Sequence, residues 1–326
     1  MIDITSYEKL NKDDLITDEQ LARISSAEAV RPISLLWELK TLMYCGILLL
    51  TTGLGIIIYK NIDSIGHLAI VISIGIAMVI CFSYCIKKSP PFTFSKTTSS
   101  SALQDYILLF GCMLMLIFFG YLQFQFNLFG NRWGMATFIP MLILFVSAYY
   151  FDHLGVLSMA LVNFAAWAGI TITPLHMLKR NDFSNENIIY TGLSLGVLFM
   201  AIAYLSQAKN IKKHFYFTYK NFGAHLLFIS TIAGMFHFGN VYLLWFILLC
   251  GISAVQYAIA FKEKSFYFLV ITLLYFYFGI SYVLMRLLFY STFSESALYM
   301  AFLYFILSGI GFIFLLTRLN KSIKTK

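Results

Sequence analysis

The chain has 326 residues, a formal net charge of +8, a mean hydropathy of +0.80 and only 12% charged residues. Soluble domains carry about 25% charged residues, so this composition argues against a soluble fold and places most of the chain in a lipid bilayer. The basic residues are dispersed among apolar segments and form no stripe, which argues against a nucleic-acid-binding protein.

The first forty residues are polar, and this pattern does not predict a cleavable signal peptide. The stretch LITDEQLARISSAEA predicts a helix, because Thr17 and Gln20 have the spacing of a capping box. The dipeptide Arg31-Pro32 ends this helix. Residues 1–40 are therefore predicted to be a small cytoplasmic helical region, which offers a docking site for a partner protein.

Ten apolar runs follow, and each approaches the ~20 residues that a helix needs to cross a bilayer. They are too long for the alternating strands of an outer-membrane barrel. The runs are 41–59, 67–86, 105–122, 134–151, 154–173, 188–206, 222–238, 240–260, 265–285 and 296–316. The sequence therefore predicts an all-α polytopic transmembrane helix bundle of about ten spans over residues 41–316, followed by a basic cytoplasmic tail, 317–326.

Lysine and arginine residues are distributed unequally between the two sets of connections. With the N-terminus inside, the inner segments hold 18 of these residues and the outer connections hold 4. Because cytoplasmic loops of membrane proteins are enriched in Lys and Arg, both termini are predicted to be cytoplasmic. The predicted location is the inner (plasma) membrane of a bacterium, with the lipid bilayer as the surrounding partner.

Polar residues concentrate in the outer connections and give the candidate ligand-binding site. Its residues are Asn61, Asp63, His67, Gln123, Gln125, Asn131, Arg132, Trp133, His176 and His237. One interpretation is that each side chain caps its own helix or meets water. The other is that the side chains converge into an outward-facing polar pocket. The three histidines and Asp63 suit zinc chemically, but they come from separate connections without ligand spacing, so neither a metal site nor a cofactor is predicted.

Three other features each allow a structural and a functional interpretation. Asp152 is predicted to cap the fifth span, with a proton relay to Asp105 as the alternative. Asn163, at the centre of the same span, is predicted to form an interhelical hydrogen bond, with a substrate contact as the alternative. GLSLG, 192–196, matches the G-x-S-x-G pattern of serine hydrolases but lies inside an apolar helix, so its glycines are predicted to be a packing face.

The chain also resembles a known family. A helical region of the LITDEQLARI kind precedes a first span rich in small residues, GILLLTTGLGIIIYKNID. KNID stands where the family typically has an Asn-Trp-Asp-like motif, with Asn61 and Asp63 at the motif positions and Ile62 in place of Trp. The chain thus resembles the predicted bacterial membrane proteins grouped as domain of unknown function family 2157, in a long Bacteroidetes-like form. This resemblance implies an inner-membrane protein with no assigned chemistry.

Three functions are consistent with this pattern. The preferred prediction is binding or facilitated transport of a polar ligand through the outward-facing pocket. The alternatives are a structural or regulatory protein whose N-terminal helices bind a partner, and a membrane-embedded enzyme acting at the outer face. No Asp or Glu lies deep in any span, which argues against coupling to protons or sodium. The oligomeric state is left open.

Overall fold

The computed structural model describes residues 11, 13, 16–21, 36–60, 66–97, 102–172, 186–289 and 295–325. Every regular element within these ranges is helical. The chain divides into two compact units, Met1–Ser64 and Ile65–Lys326. This architecture confirms the predicted all-α class.

The first unit contains the predicted capping box and one long helix. The backbone N–H of Thr17 donates to Gln20 Oε1 at 3.0 Å, and the N–H of Gln20 donates to Thr17 Oγ1 at 3.3 Å. This reciprocal pair satisfies two amides at a helix start and confirms the capping prediction. The long helix α1 spans Leu36–Lys60.

The second unit consists of α-helices joined mostly by short connections, with one 3-10 turn, η1, at Lys213–Phe215. The α-helices are α2 His67–Lys88, α3 Ala102–Phe126, α4 Trp133–Phe151, α5 Leu154–Ile172, α6 Glu186–Ala208, α7 Tyr216–His237, α8 Tyr242–Lys262, α9 Phe266–Leu288 and α10 Glu295–Thr325.

All ten predicted apolar segments coincide with long helices. Eight helices in the described part of the chain, α2–α6 and α8–α10, are long and apolar enough to cross a membrane. Helix α1 contains a shorter apolar stretch, Thr41–Ile57, while α7 carries Lys220 and His225 within its length. The number, length and apolar composition of these helices therefore make the chain a multi-pass membrane protein. Helix α10 continues through the predicted tail to Thr325.

Helices that follow one another along the chain pack as antiparallel pairs in the second unit. The closest pairs are α2 with α3, α4 with α5, α6 with α7, and α8 with α9, while α7 also contacts α5 and α9. Connections 89–97, 152–153, 209–215 and 263–265 therefore lie at one end of this unit, here called the basic end. Connections 127–132 and 238–241 lie at the opposite end.

Glycines bring α6 and α7 into backbone contact. A Cβ atom on Gly223 would lie 3.0 Å from the backbone nitrogen of Met200 and 3.1 Å from the carbonyl oxygen of Gly196. The hydroxyl of Ser194, on the exposed side of α6, donates to the carbonyl of Tyr190 at 2.9 Å. The GLSLG stretch is thus a helix-packing face, as predicted.

Replacing Gly223 by alanine should weaken this helix pair. Because the added methyl group meets backbone on α6, we expect Gly223→Ala to lower the free energy of unfolding by about 1–3 kcal/mol. Gly251→Ala on α8 is the matched control, since a Cβ there meets no atom within 4 Å. Denaturant unfolding of both variants in detergent micelles measures the difference, and equal stabilities would contradict the close packing.

Candidate functional site

A cavity of about 420 Å³ opens between the first turn of α4 and the last turns of α5, at the opposite end of the second unit. Its walls combine aromatic, polar and cationic groups. The lining residues are Asn131, Arg132, Trp133, Gly134, Met135, Phe138, Trp167, Ile170 and Thr171. Three predicted site residues, Asn131, Arg132 and Trp133, therefore share one cavity, here called the α4–α5 pocket.

Aromatic packing shapes the floor of the α4–α5 pocket. The Trp167 ring lies against Phe138 of α4, with centroids 5.2 Å apart, and against Phe164 one turn earlier, at 5.7 Å. Gly134 lies at the mouth, where α4 approaches α5 closely. A Cβ on this glycine would lie 2.8 Å from Thr171 Oγ1 and 3.8 Å from Trp167 Nε1. The pocket thus joins an aromatic floor to a mouth lined by hydrogen-bonding groups.

Gln123, another predicted site residue, organises the turn that precedes the pocket. Its side chain is 1% exposed, and its Nε2 donates to Asn127 Oδ1 at 3.1 Å and to the Gly130 carbonyl at 2.9 Å. Its Oε1 accepts the backbone N–H of Phe129 at 2.9 Å. Asn127 and Gly130 both have positive φ, 49° and 56°, so this amide holds a tight turn directly before Arg132.

The remaining predicted residues lie elsewhere. His67 Nδ1 is 2.7 Å from the Tyr121 hydroxyl and joins α2 to α3. His237 is exposed at the end of α7, and Gln125 is exposed on the last turn of α3. Asn61, Asp63 and His176 lie outside the described residues. Of the seven described residues, three line the α4–α5 pocket, and the convergence of the full set of ten stays a prediction.

A second arginine near the opposite end, Arg286, is bound by protein groups. Its guanidinium donates to the Gly239 carbonyl at 2.7 Å and to the Tyr282 hydroxyl at 2.9 Å. It also lies over the Tyr242 ring, 4.4 Å from the centroid. Arg286 thus joins α9 to the connection between α7 and α8, and these contacts give it a structural role.

The basic end contains a group of charged side chains that the sequence analysis did not bring together. Asp152 and Lys212 each have side chains 1% exposed, and Lys212 Nζ lies 3.3 Å from Asp152 Oδ1. The same oxygen accepts from His214 Nε2 at 2.5 Å. Asp152 Oδ2 accepts both the backbone N–H and the hydroxyl of Thr97, at 2.5 and 3.0 Å. Thr97, Asp152, Lys212 and His214 are called the Asp152 cluster below.

The predicted capping role of Asp152 is wrong. Asp152 ends α4 in the left-handed conformation, φ 58°, and this turns its carboxylate toward Lys212 and away from the start of α5. His153 caps α5 instead, because its Nδ1 accepts the N–H of Val156 at 3.2 Å. A proton relay between Asp152 and Asp105 stays a prediction.

Asp152 and the next residue, His153, both have pKa values that differ from their ordinary values. Burial opposes ionisation of Asp152, but the Thr97 hydrogen bonds and the charges of His214 and Lys212 outweigh it, so the pKa of its carboxyl lies below the ordinary 3.8. Burial lowers the pKa of His153 below 6.5, against the opposing pull of Asp105 and Asp152. His153 is therefore neutral at physiological pH, as its acceptor role requires.

A second charged contact at the basic end joins α7 to α8. The Lys220 side chain is fully buried and pairs with Glu263. The hydroxyl of Tyr216 donates to the same carboxylate, and the Lys220 ammonium lies 4.3 Å from the centroid of the Phe268 ring. Because a buried ammonium needs partners to offset its desolvation, this arrangement fixes the start of α7 against α8 and α9.

Asn163 does not make the predicted interhelical bond through its amide nitrogen. Its side chain is 8% exposed, and Nδ2 has no hydrogen-bond partner within the described part of the chain. Asn163 precedes Trp167 by four residues, so it lies one turn deeper on the same side of α5.

Comparison with known proteins finds a family match in the N-terminal part of the chain. Residues 8–157 match the model of a family described as "Predicted membrane protein (DUF2157)", which confirms the resemblance carried by the first span. This match covers α1–α4 and ends in the first turn of α5, so Trp167 and Thr171 of the pocket lie beyond it. No curated protein and no solved structure matches the chain significantly.

Removing the charge of Asp152 alone should lower the free energy of unfolding more than removing the charges of Asp152 and Lys212 together. Asp152→Asn leaves the buried Lys212 ammonium without its carboxylate, a change that costs about 3–5 kcal/mol for buried pairs. We expect the double variant Asp152→Asn with Lys212→Met to regain much of this loss, because no unpaired charge remains. Denaturant unfolding in detergent of the wild type, the two single variants and the double variant measures the coupling, and additive losses would contradict it.

Lowering the pH should destabilise the folded protein through protonation of the Asp152 carboxylate. Because the pKa of Asp152 is lower in the folded protein than its ordinary 3.8, its contribution to stability is complete above that value and declines as the pH falls below it. We expect thermal midpoints measured from pH 7 to pH 3 to fall more steeply for the wild type than for the double variant. Parallel slopes would contradict the assigned role of Asp152.

Proposed function

We propose that this protein binds an amphiphilic ligand in the α4–α5 pocket, at the extracytoplasmic surface of the membrane. The observation that carries this proposal is the composition of the cavity, in which Arg132 and Asn131 lie at the mouth above an aromatic and aliphatic floor. Ligand sites are typically concave and apolar, with a few polar groups that orient the ligand. The preferred prediction from the sequence was binding or facilitated transport of a polar ligand, and this proposal assigns the binding to the α4–α5 pocket.

The position of the pocket along the helices favours a ligand with both polar and apolar parts. Trp133 begins α4 and is partly exposed, and tryptophan is enriched at the boundary between hydrocarbon and water. Phe138 and Trp167 lie farther from the ends of their helices, toward the hydrocarbon. A ligand in this pocket would therefore place its polar part near Arg132 and its apolar part beside the tryptophans.

The charge distribution supports an outward orientation for the pocket. The basic end carries exposed lysines on three connections, including Lys96, Lys213 and Lys264. Cytoplasmic loops are enriched in such residues, so we assign the basic end to the cytoplasm and the pocket to the outside. The regulatory alternative, with a partner at residues 1–40, is a secondary proposal, for which the Thr17–Gln20 capping box supplies only the start of a helix.

Tryptophan quenching tests occupancy of the pocket directly. A reporter with Trp37→Phe and Trp245→Phe keeps only Trp133 and Trp167, which line the pocket. A second reporter with Trp37→Phe, Trp133→Phe and Trp167→Phe keeps only Trp245, which packs against Phe238. The probe is a mixture of acyl-brominated phosphatidylcholine and phosphatidylglycerol, titrated into bilayers of their unbrominated forms. We expect the pocket tryptophans to be half-quenched at about a tenfold lower brominated fraction, equivalent to ~1.4 kcal/mol of preference.

A glycine pair supplies the control for this measurement. Gly134→Ala places a methyl group 2.8 Å from Thr171 Oγ1 and narrows the mouth, so we expect it to remove the preferential quenching. Gly120→Ala, where a Cβ meets no atom within 4 Å, should leave it unchanged. Equal quenching of pocket and control tryptophans in the unmodified reporters would overturn the proposed function.

A further inference from the structure

We propose that the ligand of the α4–α5 pocket is a lipid with an anionic phosphate headgroup, bound through Arg132. This inference rests on the proposed function and adds the chemical class of the ligand to it.

The charge of the pocket selects an anion. Arg132 is the ionisable side chain among the described lining residues, which include no carboxylate. Two tryptophans also suit a quaternary ammonium group, such as that of a choline lipid. The fixed positive charge of Arg132 at the same mouth disfavours such a cation, whereas it attracts a phosphate.

Hydrogen-bond donors around Arg132 suit a phosphate better than a smaller anion. The guanidinium offers a planar fork that matches phosphate oxygens, and the Asn131 amide and Thr171 hydroxyl lie in the same lining. Within the described residues, the N-cap residue Arg132 makes no side-chain capping hydrogen bond, so amides at the start of α4 add further donors and the positive end of the helix dipole. The phosphodiester of a lipid presents two unesterified and two esterified oxygens in a tetrahedral arrangement to these groups, whereas a carboxylate presents two oxygens in one plane.

The outer surface of α4 has apolar residues that the acyl chains of such a lipid can contact. Met135, Leu142 and Val146 are exposed, and their spacing of seven and four residues places them on one side of the helix. This apolar strip begins in the pocket lining at Met135 and continues about 16 Å along α4, at 1.5 Å per residue. An acyl chain that leaves the pocket thus has a continuous apolar surface to follow.

Arg132 differs in its surroundings from the other arginine near this end. Arg286 is held by Gly239, Tyr282 and Tyr242. Arg132 is exposed, and the Gln123-stabilised turn fixes the backbone immediately before it. A fixed backbone with a solvent-accessible guanidinium suits capture of an external anion.

The test compares phosphatidylglycerol and phosphatidylcholine that carry identical brominated chains, using the reporter with Trp133 and Trp167. We expect phosphatidylglycerol to be preferred by about fivefold to tenfold. We expect Arg132→Gln to remove almost all of the preference for phosphatidylglycerol and Arg132→Lys to keep part of it. Lys60→Gln, which removes a different exposed cation, should leave it unchanged.

Each outcome decides between the ligand classes. If both lipids quench the pocket tryptophans preferentially and equally, and Arg132→Gln has no effect, the proposed function stands and the phosphate inference fails. If neither lipid quenches them more than Trp245, both fail. Brominated stearate that matches phosphatidylglycerol would assign a carboxylate instead. Displacement of phosphatidylglycerol by millimolar inorganic phosphate would assign the site to the free anion, which also overturns the inference.

Discussion

The buried carboxylate of Asp152 is the interaction on which the arrangement of the basic end depends. It accepts hydrogen bonds from Thr97 in the α2–α3 linker and from His214, and it pairs with Lys212 before α7. The backbone N–H of Lys212 also donates to the Phe94 carbonyl at 3.0 Å. Three connections that are distant in sequence thus meet at one side chain. Because a buried charge is costly without partners, the arrangement is favourable only when all three are in place.

The start of α7 extends this network to the remaining connections. Lys220 and Tyr216 bind Glu263 after α8, and the Tyr219 hydroxyl lies 3.0 Å from that of Tyr149 on α4. Asn221 accepts from Tyr267 on α9. The segment 212–221 therefore joins α4, α8, α9 and the linker at the basic end, and charged contacts dominate there. The described contacts of the opposite end are mostly neutral hydrogen bonds, with Arg286 as a charged donor.

Local sequence patterns predicted the helices but did not reveal the charged contacts at the basic end. Apolar runs predict long helices because a lipid-exposed backbone must satisfy its own hydrogen bonds, and the Thr17–Gln20 box needs only three residues of context. Asp152 and Lys212 are sixty residues apart, so only tertiary packing pairs them. The cap was assigned wrongly because the left-handed turn at Asp152 redirects its side chain and leaves His153 in position. Asn131, Arg132 and Trp133 were predicted from their place in an outer connection, whereas Trp167, which lines the same pocket, lies on the next helix.

The α4–α5 pair connects the two ends of the second unit. Both helices have 19 residues, about 28 Å at 1.5 Å per residue, with the Asp152 cluster at their turn and the pocket at their free ends. Since the cluster fixes the turn, the helices can change separation most at the ends farthest from it. Gly134 and Thr171 meet closely there, so a small change in separation alters the mouth more than the floor, where Phe138 and Trp167 pack. The proposed ligand pocket therefore lies at the end of the helix pair that the charged network does not hold.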